Sequence, residues 1–190
     1  LNPVGFGGLM GILKNYEAIN PFVSPTNDAL NRLKPGYEAP VCIVTSLGHS
    51  AAEPSRNRTI LIGLVRDFNN PLATRFELRA PNPKSNTYLV LAASYMAMLD
   101  GISAALTNHK TPKELEKSIS KKLGEEDFYL DTDREYRSEK DVFEDFTEEE
   151  RNARFGKAPA TVWENIMGLY RYPEMVHFLR WRWNPSWLML

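Results

Sequence analysis

Apolar side chains recur at helical spacing at Phe6, Leu9, Met10, Leu13 and Tyr16, which predicts a helix over residues 6–19. From 20 to 36 the chain is loop, punctuated by Pro21, Pro25 and Lys34-Pro35-Gly36. Two runs rich in β-branched residues follow, Val41-Cys42-Ile43-Val44-Thr45 and Thr59-Ile60-Leu61-Ile62. Both read as strands, with a polar loop from Gly48 to Arg56 between them. A third strand runs from Thr74 to Arg79. After Pro81 and Pro83, residues 86–106 are apolar and Ala-rich, a helix expected to be buried. Further on, Thr111/Glu114, Thr147/Glu150 and Thr161/Glu164 each have the spacing of a capping box at a helix start. Strands come first and helices later, so the expected class is α+β: an antiparallel sheet with helices packed on it.

Composition narrows the field. The 190 residues carry a formal net charge of −1, which gives no global argument for nucleic acid or an acidic membrane as partner. No unbroken apolar run approaches the roughly 20 residues of a membrane helix, so no membrane association is expected. The single cysteine, Cys42, permits no internal disulfide, and a cytoplasmic home is the plain expectation. Leu1-Asn2-Pro3 has no features of a signal peptide and reads as a cut into a longer protein. The charge is unevenly spread. Residues 113–151 hold eight Lys and Arg against fifteen Asp and Glu, and read as a solvated acidic face. Six of the ten cations before residue 111 are arginines between Arg32 and Arg79. Arginine suits planar, bidentate capture of carboxylate and phosphate.

Three groups carry candidate chemistry. On the third strand, Thr74, Phe76 and Leu78 share one face and Arg75, Glu77 and Arg79 the other. A dry Arg-Glu-Arg row is costly, so that face meets ligand, metal or solvent; an ordinary salt-bridged surface has the same spacing. In Arg32-Leu33-Lys34-Pro35-Gly36-Tyr37-Glu38, the Pro-Gly turn holds Glu38 on a stiff loop, where it is either a base or cation binder or a plain surface carboxylate. Arg56-Asn57-Arg58 enters the second strand, where an arginine clamps a transferred phosphoryl group or simply lies on the surface. His49, His109 and His177 lack metal-ligand spacing. Gly5-Phe6-Gly7-Gly8 lacks the lysine of a phosphate loop, and Asp131-Thr132-Asp133 lacks the glycine of a calcium loop.

The stretch from Asn31 to Val41 resembles the flap segment of glutamine synthetases. Arg56-Asn57-Arg58 resembles their Asn-Arg element, and Thr74 to Pro83 with Asn86 to Ile102 resembles their metal-ligand strand and following helix. The motifs cover roughly residues 8–106. The resemblance implies a segment 1–106 of the catalytic core, carrying flap and binding strands, and a helical C-terminal extension 107–190 of the same domain. It implies an ATP-dependent ligase of nitrogen metabolism that joins glutamate to ammonia through γ-glutamyl phosphate. Alternatives within reach are a γ-glutamyl-amine ligase of the same fold and a non-catalytic homologue. Carried over, Arg32 and Arg79 would grip glutamate, Glu38 would bind and deprotonate ammonium, and Arg58 would stabilise the transferred phosphoryl group. Arg75 would contact nucleotide phosphates, and Glu77 would ligate Mg²⁺ or Mn²⁺ beside ATP. The family's other metal ligands lie upstream of this chain, so the chain alone is expected to be inactive, and the whole protein is expected to form a homo-oligomeric ring. Trp181, Trp183 and Trp187 either face a partner subunit or close the chain's own core. Three departures stand out: Leu47 to Ser55 looks inserted, Gly63 stands where the family usually has an arginine (Arg66 fits only with a shift), and a lysine is missing around Leu72.

Overall fold

The computed structural model describes residues 1–33, 40–50, 53–55, 57–67, 69–171 and 173. Its first helix, α1 (Pro3–Val23), is longer than the apolar spacing alone predicts. Asn2 caps it by accepting from the Gly5 amide, and Pro3 occupies a position whose N–H has no helical acceptor. Fourteen of its residues are buried, from Phe6 to Val23, so it is the axis of the core rather than a surface helix. A short α2 (Asn27–Asn31) follows, capped by Thr26.

The sheet has three strands in the order β1 (Thr45–Ser46), β2 (Ile62–Val65) and β3 (Arg75–Leu78). β2 and β3 are antiparallel, but β1 and β2 are parallel, so the sheet is mixed and not the antiparallel one that the pattern predicts. The cause is the long connection from Leu47 to Leu61, which carries the chain back to the starting end of β1; a tight hairpin would have reversed it. β1 is shorter than the expected run 41–45, and β2 keeps four residues but lies three positions later than the expected 59–62. Val41–Val44 instead meet residues far along the chain, through a bridge between Cys42 and Lys157 and a hydrogen bond from the Ile43 amide to the Gly156 carbonyl.

Helix α3 (Thr87–Thr107) begins at Asn86, whose side chain accepts from the Tyr88 and Leu89 amides. It buries only a stripe, Ala93, Ala97, Gly101 and Ala105, against α1. A Cβ on Gly7 would come within 2.8 Å of the Ile102 Cα and 2.9 Å of the Gly101 oxygen. Gly7, Gly11 and Gly101 therefore let the two backbones approach closer than larger side chains permit. The opposite face of α3 shows Tyr88, Leu91, Tyr95, Leu99 and Leu106 to solvent, so the helix is not buried all round. By length and composition α3 is apolar enough to cross a membrane, although the alanine–glycine stripe seats it in the protein.

Residues beyond α3 form α4 (Pro112–Ile119), α5 (Glu148–Phe155) and α6 (Val162–Arg171). Reciprocal capping boxes start α4 and α5, as their spacing predicts. The third departs: Thr161 accepts from the Glu164 amide at 3.1 Å, but the Glu164 carboxylate reaches the Ala160 amide and Lys157. The acidic middle is not simply a solvated face, since Lys121, Arg134, Glu135 and Arg151 within it are buried. Arg134 bonds Glu17 and Asp131 at 3.0 Å each and the Tyr136 hydroxyl at 3.1 Å. A buried guanidinium is tolerable because each edge of its fork is matched. A second polar chain ties α1 to α6: Tyr16 donates to Asn20 (2.6 Å), which donates to Asn165 (2.6 Å).

Candidate active site

β3 carries the site's clearest geometry. Phe76 and Leu78 pack toward the core, while Arg75 and Glu77 are exposed, so the period-2 alternation divides the strand as its sequence predicts. Across the β2 register, Leu64 faces Phe76 and Ile62 faces Leu78 on the core side, and Gly63 faces Glu77 on the other. Ser46 pairs with Gly63, so Ser46, Gly63 and Glu77 form a row across the outer face. Gly63 leaves that row open.

Arg79 follows β3, its amide bonded to the Leu61 carbonyl at 3.0 Å. Its Nε lies 3.8 Å from a Glu77 oxygen, and its side chain is 16% exposed against 57% for Glu77. Arg32 ends α2, and its Nη1 reaches the Pro81 carbonyl at 3.5 Å. Arg32 thus meets the chain two residues beyond Arg79. Arg75 bonds the Ala73 carbonyl at 3.3 Å beneath the strand's start.

Arg58 is exposed just before β2, between two residues that are held in place. Asn57 donates to the Lys140 carbonyl (2.8 Å) and accepts from the Thr59 amide and hydroxyl; the Thr59 hydroxyl accepts from the Val142 amide (3.1 Å). Glu38, with Lys34 to Ala39, lies outside the described residues, as do Arg56 and the three tryptophans at 181, 183 and 187. Among the described residues no group of three or more His, Cys, Asp or Glu could hold a metal ion. Glu77 is an exposed carboxylate on this face.

Sequence reasoning passes over Glu139. Its carboxylate accepts from the Ser46 hydroxyl, the Leu47 amide (3.1 Å), the Gly48 amide (3.0 Å) and Arg137 Nε (2.7 Å). Burial works against its charge, but the bonds from Ser46, Arg137 and Leu47 prevail and hold the carboxyl below the usual carboxylate range. Its sole signal in the sequence is an Arg-Ser-Glu alternation inside an acidic run. Cys42 is buried beneath β1, and burial pushes its thiol up to about 12, well away from reactivity at neutral pH.

A family model described as "Glutamine synthetase, catalytic domain" matches residues 5–154, well past residue 106, where the recognisable motifs stop. A glutamine synthetase of Rhizobium meliloti (strain 1021) is 39% identical over 146 residues, 71% of this chain and 29% of that protein. One from Aquifex aeolicus (strain VF5) is 47% identical over 92 residues, 48% of this chain and 18% of that protein. The chain therefore spans less than a third of the length of either curated relative. Among solved structures, the cryo-EM structure of Plasmodium falciparum glutamine synthetase matches with a TM-score of 0.59 at 19% identity, covering 93% of this chain and 34% of that one.

Proposed function

Because the chain belongs to the glutamine synthetase family, we propose that it forms part of an ATP-dependent glutamate–ammonia ligase that makes glutamine through γ-glutamyl phosphate. The observation that carries this reading is the outer face of the sheet. There Glu77 stands exposed beside Arg79, with Arg75 on the same strand and Arg32 at its end.

In this reading Arg32 and Arg79 hold the carboxylates of glutamate, and Arg75 contacts the nucleotide phosphates. The side-chain carboxylate of glutamate attacks the γ-phosphorus of ATP, and ADP leaves. Arg58 offsets the charge that builds on the phosphoryl oxygens during transfer. Glu38 binds ammonium and takes its proton, and the free ammonia then displaces phosphate to give glutamine. Glu77 would hold a Mg²⁺ or Mn²⁺ that neutralises charge on the ATP phosphates. Because no group of three or more His, Cys, Asp or Glu among the described residues could hold a metal, further ligands would come from elsewhere in the longer protein. The outward apolar face of α3 belongs against that remainder or a neighbouring subunit, in keeping with a homo-oligomeric ring in the cytoplasm.

The test uses the full-length protein and two carboxylates. Glu38→Ala should lower ammonia-dependent phosphate release on the order of 10²–10⁴-fold, with ATP affinity little changed. Glu77→Ala should weaken metal-dependent ATP binding as well as turnover. As a control, the 190-residue chain by itself should form no glutamine. Full turnover by Glu38→Ala at saturating and subsaturating ammonia would refute the assignment of the amine step.

A further inference from the structure

The loop between β1 and β2, Leu47 to Leu61, contains the stretch Leu47 to Ser55 that looks inserted relative to the family motifs, and it carries Arg58 toward its far end. A polar loop of this length is expensive to hold in one shape unless other groups bind its backbone. The binding groups come from one short stretch, Arg137 to Val142, almost eighty residues downstream of Arg58 in the chain.

At the loop's first foot, Glu139 accepts from the Leu47 and Gly48 amides and the Ser46 hydroxyl. Arg137 Nη2 donates to the Gly48 carbonyl at 3.0 Å, so the Gly48 peptide groups are gripped on both sides. Gly48 has φ +83°, and a Cβ there would come within 2.6 Å of the Glu53 oxygen, so the turn it makes is confined to glycine. Arg137 is itself held by Glu139 at 2.7 Å and by Ser120 at 2.9 Å. At the second foot, the Lys140 carbonyl accepts from Asn57 and the Val142 amide donates to the Thr59 hydroxyl. These two anchors flank Arg58 directly. Ser46 also lies on the sheet row that ends at Glu77, two strand spacings or roughly 10 Å away.

We propose that Arg137 and Glu139 are positioning residues: they clamp the first foot of the β1–β2 loop and thereby dock the stretch whose Lys140 and Val142 backbone groups hold the second foot, so presenting Arg58 to the transferred phosphoryl group. This rests on the assignment of Arg58 given above. The clamp gives the segment beyond residue 106 a task in the reaction without touching the reacting atoms.

A double-mutant cycle in the full-length ligase tests it. Glu139→Gln keeps the side chain's shape but removes the charge that gathers the amides. It should lower kcat about 10–10²-fold, the scale of a misplaced catalytic group, while the KM for glutamate moves less than about twofold. Arg58→Ala should cost about 10²–10³-fold. The double variant should match Arg58→Ala alone, because a clamp acting through Arg58 has nothing left to position. Losses that multiply would overturn the clamp and leave the Arg58 assignment standing; a silent Arg58→Ala would overturn both. Hydrogen exchange supplies a readout independent of activity. The Leu47 and Gly48 amides should exchange faster in Glu139→Gln while those of α1 do not, and unchanged protection would refute the proposal. If Glu139→Gln does not fold, Ser46→Ala takes its place in the cycle with the same outcomes.

Discussion

The α1–α3 crossing makes a prediction in which one substitution, placed at three points of a single helix, changes sign. Alanine is favoured over glycine in a helix by up to about 1 kcal/mol. At Gly5 the new Cβ would sit 3.4 Å from the Asn2 and Leu1 side chains, an ordinary contact, so Gly5→Ala should be neutral or slightly stabilising. At Gly7 it would meet the Ile102 Cα at 2.8 Å, and that atom is backbone with no rotamer to yield. Reaching an ordinary 3.4 Å requires the helices to part by roughly 0.6 Å, a gap that forfeits a quarter to a half of each contact along the stripe. Overpacking of this kind costs about 1–3 kcal/mol. After the helix-propensity gain, Gly7→Ala should lose up to about 2 kcal/mol, a fall in Tm of up to about 8 °C for a chain of this size. Gly11→Ala should lose more, since its Cβ would run into the Ala97 carbonyl oxygen. Thermal and denaturant unfolding followed by circular dichroism would rank the three. Equal midpoints, or a Gly11→Ala variant as stable as Gly5→Ala, would refute the close-approach account.

Arg134→Ala should destabilise by about 3–5 kcal/mol in denaturant unfolding, because it leaves Glu17, Asp131 and the Tyr136 hydroxyl without their shared donor. Arg134→Lys should not restore the loss, since one ammonium cannot reproduce three donor directions. Glu139 predicts a pH dependence: its carboxyl is held lower in the folded chain than the unfolded value of about 4.3. The stability advantage of wild type over Glu139→Gln should therefore be complete above that unfolded value and fade as pH falls through the lower folded one. An advantage that grew on acidification would contradict the hydrogen bonds assigned to it.

What was legible in the sequence was local. Helical spacing marks α1, the apolar run after Pro81 and Pro83 marks α3, two threonine–glutamate boxes mark helix starts, and alternation divides β3 into core and outer faces, because each signal lies within a few residues of what it specifies. The sheet's mixed topology was not legible, since β1 lies between β2 and a bridge to Arg137, a partner no local pattern announces. The acidic middle misleads for the same reason: charge composition does not reveal that Arg134 will find three partners and be buried. At the site, alternation alone places Arg75, Glu77 and Arg79 on one face. Their chemical roles rest on the family motifs, and Glu139 escapes both kinds of reading.

The pairing of the strand edge with distant residues bears on how the chain is made. Thr45 exchanges hydrogen bonds with Tyr136 and Ser138, and Val41 and Ile43 bond Ala158 and Gly156. A ribosome adding about 5–20 residues per second needs roughly 5–20 s to travel from Thr45 to Tyr136. Throughout that interval Val41–Ser46, among the most apolar stretches of the sheet, has an open edge that can template pairing with another nascent chain. Contacts so far apart in sequence also slow the final docking, since loop closure precedes any gain from pairing. Synthesis on crowded polysomes is therefore the stage at which this domain is most exposed to misassembly, and chaperone capture of nascent chains ending between residues 50 and 136 is the expected signature.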